Sequence, residues 1–383
     1  MSPRALFVTT VPITLEAFLV PFAEHFRSQG WRVDALANGA STNPHIADSF
    51  DARFDVAWSR NPLDPGNLRG SSAEVRRIVT DGGYDIVHVH TPIAAFVTRW
   101  ALRRLPAGGR PVVIYTAHGF HFYRGQRRIP HALFRMMECI AAQWTDYLVT
   151  INREDLEAAR RFRGIPAERV RHIPGIGVDV TRFDKGAVTA EEAVAVRPEL
   201  DLAPEAFMLT MIAELAPVKR HAHLLDALSR TRDPRTVLVL VGEGILEPEL
   251  REEVRKLGLA NRVRFAGYRR DIPAVLAASD ALVLVSEREG LPRSVLEAMA
   301  AGKPVIGTST RGITDAVDAD SGWIVDKCDA AALAAAIDYA ASHPDEVTRR
   351  GHAARLRAMT EFALPRIISA YEELYLEALA SRE

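Results

Sequence analysis

Two α/β domains, each a Rossmann-like parallel sheet and facing one another across a cleft, are what this sequence predicts. Three features carry the prediction. The chain has 383 residues, more than one hydrophobic core usually organises. Short β-branched runs alternate with longer stretches of helical period, the signature of βαβ units. The alternation lapses once, around residues 173–203, where Pro174, Gly175, Gly177, Pro198 and Pro204 interrupt the chain, and then resumes. That lapse is the expected hinge. It sets the expected domains at 1–180 and 181–363, followed by a C-terminal helix, 364–383, that could cross back to the first domain.

In the first half the predicted strand and helix pairs are 5–9 with 15–29, 86–89 with 93–104, 112–116 with 129–143, and 147–150 with 153–162. In the second half strands are predicted at 207–213, 237–241, 263–265, 281–285 and 305–307, with helices at 221–228, 246–257 and 295–301. The last helix carries Ile367, Ile368, Tyr371, Leu374, Tyr375 and Ala378 at helical spacing, so one face should be buried. Ligands of open parallel sheets bind outside the carboxyl ends of the strands, which directs attention to the residues that follow each strand.

Composition narrows the classes. Hydrophobic residues at 48% and charged residues at 25% fit a compact enzyme rather than a disordered or fibrous chain. Cys139 and Cys328 are far apart and form no CxxC, which argues against a disulfide framework or cysteine zinc site and for a reducing cytoplasm. No run is apolar and long enough for a signal peptide or membrane span. A net charge of −1 gives no reason to expect nucleic acid as a partner. The charge is uneven, however. Residues 86–137 contain no Asp or Glu, yet include Arg99, Arg103, Arg104, Arg110, Arg124, Arg127, Arg128 and Arg135.

After the predicted strand 281–285 the chain reads Glu289-Gly290-Leu291-Pro292-Arg293-Ser294-Val295-Leu296-Glu297-Ala298-Met299-Ala300-Ala301-Gly302-Lys303-Pro304-Val305. Gly290 permits a tight turn, and a helix beginning near 292–294 aims its unpaired amides and positive dipole end at the strand ends, a seat for a diphosphate. Glu289 and Glu297 can accept hydrogen bonds from sugar hydroxyls. An isolated Glu pair is more often a helix-start charge and a solvated face. The whole string is more specific. It resembles the E-x7-E motif of the family-4 retaining glycosyltransferases, which have the two-domain GT-B fold. The resemblance implies that Glu289 faces the donor sugar, that Glu297 holds the ribose hydroxyls, and that amides around Leu291, Ser294 and Val295 hold the diphosphate.

Other post-strand segments extend the resemblance. In Met211-Ile212-Ala213-Glu214-Leu215-Ala216-Pro217-Val218-Lys219-Arg220, Lys219 is placed to meet phosphate charge; its plainer reading is a solvated cation at a helix start. Many family members have Arg in place of Glu214 and Gly or Asn in place of Arg220. Lys219 is therefore carried over, and Arg220 is the candidate substitute for the missing cation. Gly242 and Gly244 are implied near the donor's β-phosphate and sugar. The segment 265–271 is implied to receive the base through backbone groups near Tyr268 and Arg269, while Arg270 and Asp271 suit a surface pair.

His88, His90, His118 and His121 cluster at two strand ends, but no carboxylate or cysteine accompanies them as a metal ligand. The strings His90-Thr91-Pro92, Thr116-Ala117-His118-Gly119-Phe120-His121-Phe122-Tyr123 and His172-Ile173-Pro174-Gly175 are similar to capsule- and exopolysaccharide-type members of the same family, so the resemblance covers nearly the whole chain. It implies that His118 approaches the donor sugar. Where many members have a glycine pair after the first strand, this chain has Thr9-Thr10-Val11-Pro12-Ile13-Thr14; Thr10, Thr14 and His90 are the candidate acceptor contacts. Asp318-Ala319-Asp320 mimics a metal-binding Asp-x-Asp motif outside any strand end and reads as a turn.

The resemblance implies a metal-independent transferase with no cofactor, taking a UDP-sugar, best an N-acetylhexosamine or related hexose, to a lipid-linked polyprenyl diphosphate saccharide. The expected location is cytoplasmic, peripheral at the inner face of the cell membrane. Residues 120–135, where Phe120, Phe122, Tyr123 and Ile129 interleave with Arg124, Arg127 and Arg128, suit an anionic membrane surface; a core helix with a solvated basic face is the plainer alternative. Two other functions fit a two-lobed architecture: a sugar-nucleotide epimerase, and a solute-binding protein without catalysis.

Overall fold

The computed structural model describes residues 2–59, 64–106, 109–184 and 186–381. The chain divides into two compact units, Met1–Ile176 with Ile367–Glu383, and Gly177–Arg366.

The first unit holds β1 (Arg4–Val8), β2 (Arg32–Ala37), β3 (Arg53–Asp55), β4 (Ile86–Val89), β5 (Val112–Ala117), β6 (Tyr147–Thr150) and β7 (Val170–His172). They pair in the order β3-β2-β1-β4-β5-β6-β7, all parallel. The central strands are buried along their length, as a sheet covered on both faces requires, and this is why they read as continuous apolar runs. The edge strands β3 and β7 have three residues each, too short to give a periodic signal.

The second unit holds β8 (Phe207–Ile212), β9 (Thr236–Val241), β10 (Val263–Gly267), β11 (Ala281–Leu284), β12 (Val305–Thr308) and β13 (Gly322–Val325), paired in the parallel order β10-β9-β8-β11-β12-β13. In both sheets the strand order reverses once, between β1 and β4 and between β8 and β11. The loops leaving those strands border the crevice where ligands of such sheets bind.

Three expectations need correction. The helix expected at 15–29 is interrupted: Pro12–Thr14 runs into a π-helical turn, Leu15–Leu19, before Val20–Ser28. Pro21 has no amide to donate, and the wider turn absorbs the missing bond. The expected hinge region contains a helix, Ala190–Glu199, opened by a capping box between Thr189 and Glu192. Its Val196, with Leu200 and Leu202 beyond it, packs on Met208, Val237 and Val275 as a second small core. Finally, Phe120 and Phe122 are buried, stacked at 4.9 Å and packed near Phe162, so they belong to the first core and not to an interface.

The C-terminal helix Leu364–Ala380 places its apolar stripe in the first unit. Tyr375 stacks on Phe26 at 4.7 Å and shares a 2.5 Å hydrogen bond with His88 Nδ1. Tyr371 shares one of 3.1 Å with Thr116. His25 and Glu372 meet at 3.0 Å on the rim.

Candidate active site

The second unit's switch point gathers most of the predicted donor residues. The loop after β8 closes in a 3-10 turn, Pro217–Lys219, and the loop after β11 leads through Glu289 into helix Arg293–Ala300. Lys219 Nζ donates to Glu289 Oε1 at 2.6 Å, so strand order has joined two residues 70 positions apart. The backbone couples the same loops, with Glu287 N donating to Val218 O at 2.8 Å. Among the described residues no side chain caps helix Arg293–Ala300, whose N-cap is Pro292; Val295 N donates to Pro292 O at 3.1 Å, and the first turn around Ser294 presents the positive end of the helix beside Leu291. Glu297 is buried a turn into that helix and accepts from Arg293 Nε at 2.7 Å. Burial pushes its carboxyl above the ordinary range, partly opposed by Arg293.

Close backbone packing explains the glycines. A Cβ on Gly242, whose φ is +139°, would lie 2.2 Å from Ala213 O, and one on Gly244 would lie 2.4 Å from Leu215 O. The loop after β9 thus lies directly on the loop after β8, and Leu215 N donates to Glu243 O at 2.9 Å. On the other side, a Cβ on Gly312 would lie 2.4 Å from Gly290 O. Arg311, buried, donates from Nε to Glu289 O at 3.0 Å. Sequence reading passed over Arg311, although it follows a predicted strand and the strand-end rule reaches it.

Arg220 adopts the left-handed conformation, φ +56°, and donates to Lys327 O. That conformation explains why Gly or Asn suits the position, since a residue with a Cβ pays about 1 kcal/mol or more there. The Arg220 guanidinium is occupied by that carbonyl, which weakens its candidacy as a phosphate cation. Tyr268 is exposed. The expected Arg270–Asp271 pair is replaced by another: Arg269 is held by Asp271 at 2.5 Å and Glu199 at 2.6 Å, which together raise its guanidinium above the ordinary range. The side chain of Arg269 is therefore structural, leaving its backbone for a ligand.

In the first unit, His88, His90 and His118 form a stack, with ring centroids 4.0 Å apart between the first two and 5.3 Å between the last two. His90 Nδ1 and His118 Nε2 share a 3.1 Å hydrogen bond, and His88 Nε2 pairs with Thr116 at 2.8 Å. Burial holds all three imidazoles well down, His118 at about 4, so they are neutral at physiological pH. Thr10 at the first switch point shares a 2.6 Å hydrogen bond with Thr91, and Thr14 is half-buried in the short helix beyond. Arg124 pairs with Glu157 at 2.8 Å; Arg127 and Arg128 stand exposed at the start of helix Arg128–Ala142. Asp318 Oδ1 accepts from Ser321 Oγ at 2.6 Å and from the amides of Asp320 and Ser321, and Arg357 pairs with its other oxygen. Asp318–Asp320 is thus a hydrogen-bonded turn. Among the described residues no helix is long and apolar enough to cross a membrane.

Comparison with known proteins agrees with this arrangement. Residues 15–182 match the model described as Glycosyltransferase Family 4, and residues 195–357 that described as Glycosyl transferases group 1. The chain is 33% identical, over 98% of its length and 97% of the relative's, to EpsD of Bacillus subtilis (strain 168), which carries a provisional glycosyltransferase name. It is 30% identical, over 70% of its length and 68% of the relative's, to the Escherichia coli UDP-Gal:alpha-D-GlcNAc-diphosphoundecaprenol alpha-1,3-galactosyltransferase. Among solved structures, Anabaena HepE in complex with UDP superposes with a TM-score of 0.81 at 21% identity, over 98% of this chain and 100% of HepE. Kinship of this extent, over nearly the whole of both chains, means that the chain belongs to glycosyltransferase family 4 and has the GT-B fold.

Proposed function

We propose that this glycosyltransferase moves a hexose or N-acetylhexosamine from a UDP-sugar to a lipid-linked polyprenyl diphosphate saccharide, with retention at the anomeric carbon and without a metal. The observation that carries the reading is the switch point of the second sheet, where Lys219 and Glu289 meet across two coupled loops and the second loop runs into the positive end of the helix that bears Glu297. UDP in HepE and the diphosphoundecaprenol acceptor in the Escherichia coli relative's name support the donor nucleotide and the acceptor class.

In the proposed reaction the acceptor oxygen bonds to the anomeric carbon on the face that the diphosphate leaves. The bond from that carbon to the β-phosphate oxygen breaks with its electron pair on the phosphate, and a phosphate oxygen takes the acceptor's proton. Lys219 and the amides near Leu291, Ser294 and Val295 stabilise the departing charge, the role a metal would otherwise fill. Glu289 orients the sugar through its hydroxyls. His118, held neutral, adds an uncharged hydrogen-bonding group. Glu297 receives the ribose.

The acceptor reading brings the enzyme to the inner face of the cell membrane. On helix Arg128–Ala142, Ile129 (82% exposed), Leu133 (43%), Met136 (52%) and Ile140 (41%) recur every three or four residues and form one apolar stripe. Arg127, Arg128 and Arg135 flank it, exposed. Beyond the helix Trp144 packs against Trp100 at 5.4 Å and Phe96 at 6.0 Å, all half-buried. An apolar stripe bordered by arginines suits the headgroup boundary of an anionic bilayer.

The test is turnover with a panel of UDP-sugars and polyprenyl diphosphate saccharides, with and without excess chelator. UDP should form only when acceptor is present, and chelator should leave the rate unchanged. Conversion of the nucleotide sugar without acceptor would favour an epimerase. Loss of activity in chelator, restored by Mg²⁺ or Mn²⁺, would overturn the metal-free mechanism.

A further inference from the structure

The ion pair at the second switch point joins two groups that the proposed reading assigns to different parts of the donor, Lys219 to the diphosphate and Glu289 to the sugar. Lys219 Nζ and Glu289 Oε1 lie 2.6 Å apart, with side chains only 22% and 11% exposed. Both residues are held through their own backbone groups. Lys219 N donates to Ala216 O at 3.0 Å, and Arg311 Nε fixes the carbonyl of Glu289 at 3.0 Å. A pair this far removed from water is not broken freely, because the partner left behind keeps a poorly solvated charge.

The two ligands of such a site meet this pair differently. A nucleotide diphosphate draws Lys219 toward its phosphates and leaves the Glu289 carboxylate without its cation and near further negative charge. A nucleotide sugar also draws Lys219, but brings hydroxyl donors that replace the ammonium at Glu289. Resting on the donor-site reading above, we propose that the Lys219–Glu289 ion pair discriminates the intact nucleotide sugar from the spent nucleotide diphosphate, competing with the diphosphate for Lys219 and thereby promoting product release. As the sugar leaves Glu289 on the acceptor, the carboxylate regains its claim on Lys219 and the diphosphate loses a cation.

Calorimetric titration of UDP into wild type, Glu289→Gln, Lys219→Ala and the double variant tests this. Gln is nearly isosteric with Glu but neither binds the ammonium strongly nor repels phosphate. Glu289→Gln should therefore tighten UDP by about threefold to tenfold, the range expected of a partly solvated charged hydrogen bond. In the Lys219→Ala background the gain should shrink, since no ion pair is left to break. Binding of UDP-N-acetylglucosamine and UDP-glucose should show no matching gain. Equal or weaker UDP binding by Glu289→Gln, with wild type binding normally, would overturn the inference and leave the donor site standing. If neither protein bound UDP, the donor-site reading itself would fall, and this inference with it.

Discussion

At the scale of single residues, the proposed chemistry rests on groups that the core does not need. Lys219 and Glu289 are half-buried at a loop junction, so Lys219→Ala and Glu289→Ala should each lower turnover by about 10²–10³-fold with the fold retained, the melting temperature falling only by what the charge left unpaired costs. Near-wild-type turnover by either variant would remove it from the mechanism. The buried histidines make a separate prediction about pH. His88, His90 and His118 are neutral when folded but take up protons near pH 6.5 when unfolded, so their folded affinities are depressed. The unfolded state then binds more protons in the window from about pH 6.5 down to about 4. Stability should be full above that window and fall as pH falls through it. Denaturant midpoints measured from pH 7.5 to 5 should show this slope, and His118→Asn should flatten it. An unchanged slope would place His118 outside the titrating set.

At the scale of elements, the glycines and the basic helix are the parts whose local sequence has two readings. Gly312 combines φ +81° with a backbone neighbour 2.4 Å from where a Cβ would stand, so Gly312→Ala must displace Gly290 and with it Glu289. Turnover should drop at least about tenfold, comparable to misplacing a catalytic group, although no charged group has been removed. On helix Arg128–Ala142 the exposed stripe can be altered without touching the core. Arg127→Glu, Arg128→Glu and Ile129→Ser together should abolish binding to anionic vesicles at low salt and slow transfer to lipid-linked acceptors, with UDP binding unchanged. Arg124 is left out because it already answers Glu157. Equal vesicle binding by the variant would remove the membrane role of this helix.

At the scale of the whole molecule, the last element in sequence completes the first unit. Tyr371 and Tyr375 lie in that unit with Phe22, Phe26, Thr116 and His88, so the helix Leu364–Ala380 contributes to a core formed mostly by residues 1–176. Removing two buried aromatic side chains costs about 3–5 kcal/mol each. Tyr371→Ala with Tyr375→Ala should therefore split thermal unfolding, the first unit melting early and the second unchanged. A single unshifted transition would show that the helix adds nothing to the first unit's stability.

Much of this was legible in the sequence, because it depends on periodicity and on short contiguous motifs. Central strands of a parallel sheet are buried on both faces and announce themselves as apolar runs; β4, β5 and β11 lie within a residue or two of where the sequence put them. The E-x7-E string carries its helix start, its turn glycine and both carboxylates within one segment, so no tertiary knowledge was needed to find it. What the sequence left open were matters of long-range pairing. Phe120 and Phe122 look the same in a core and in an interface, and only their packing near Phe162 decided between them. The Thr189–Glu192 capping box is a local signal that the expected hinge passed over, and the packing of Val196 and Leu200 on Met208 shows why a helix persists there. The Arg269 side chain is taken up by Glu199, 70 positions away, a pairing that no local pattern announces. Lys219 and Glu289 were each legible alone, but that they form one ion pair follows from the order of strands in the sheet, which brings β8 beside β11. Local sequence fixes which residues can do chemistry; the crossing of the chain decides which of them meet, because hydrogen bonds and ion pairs act over a few ångströms in space and not along the sequence.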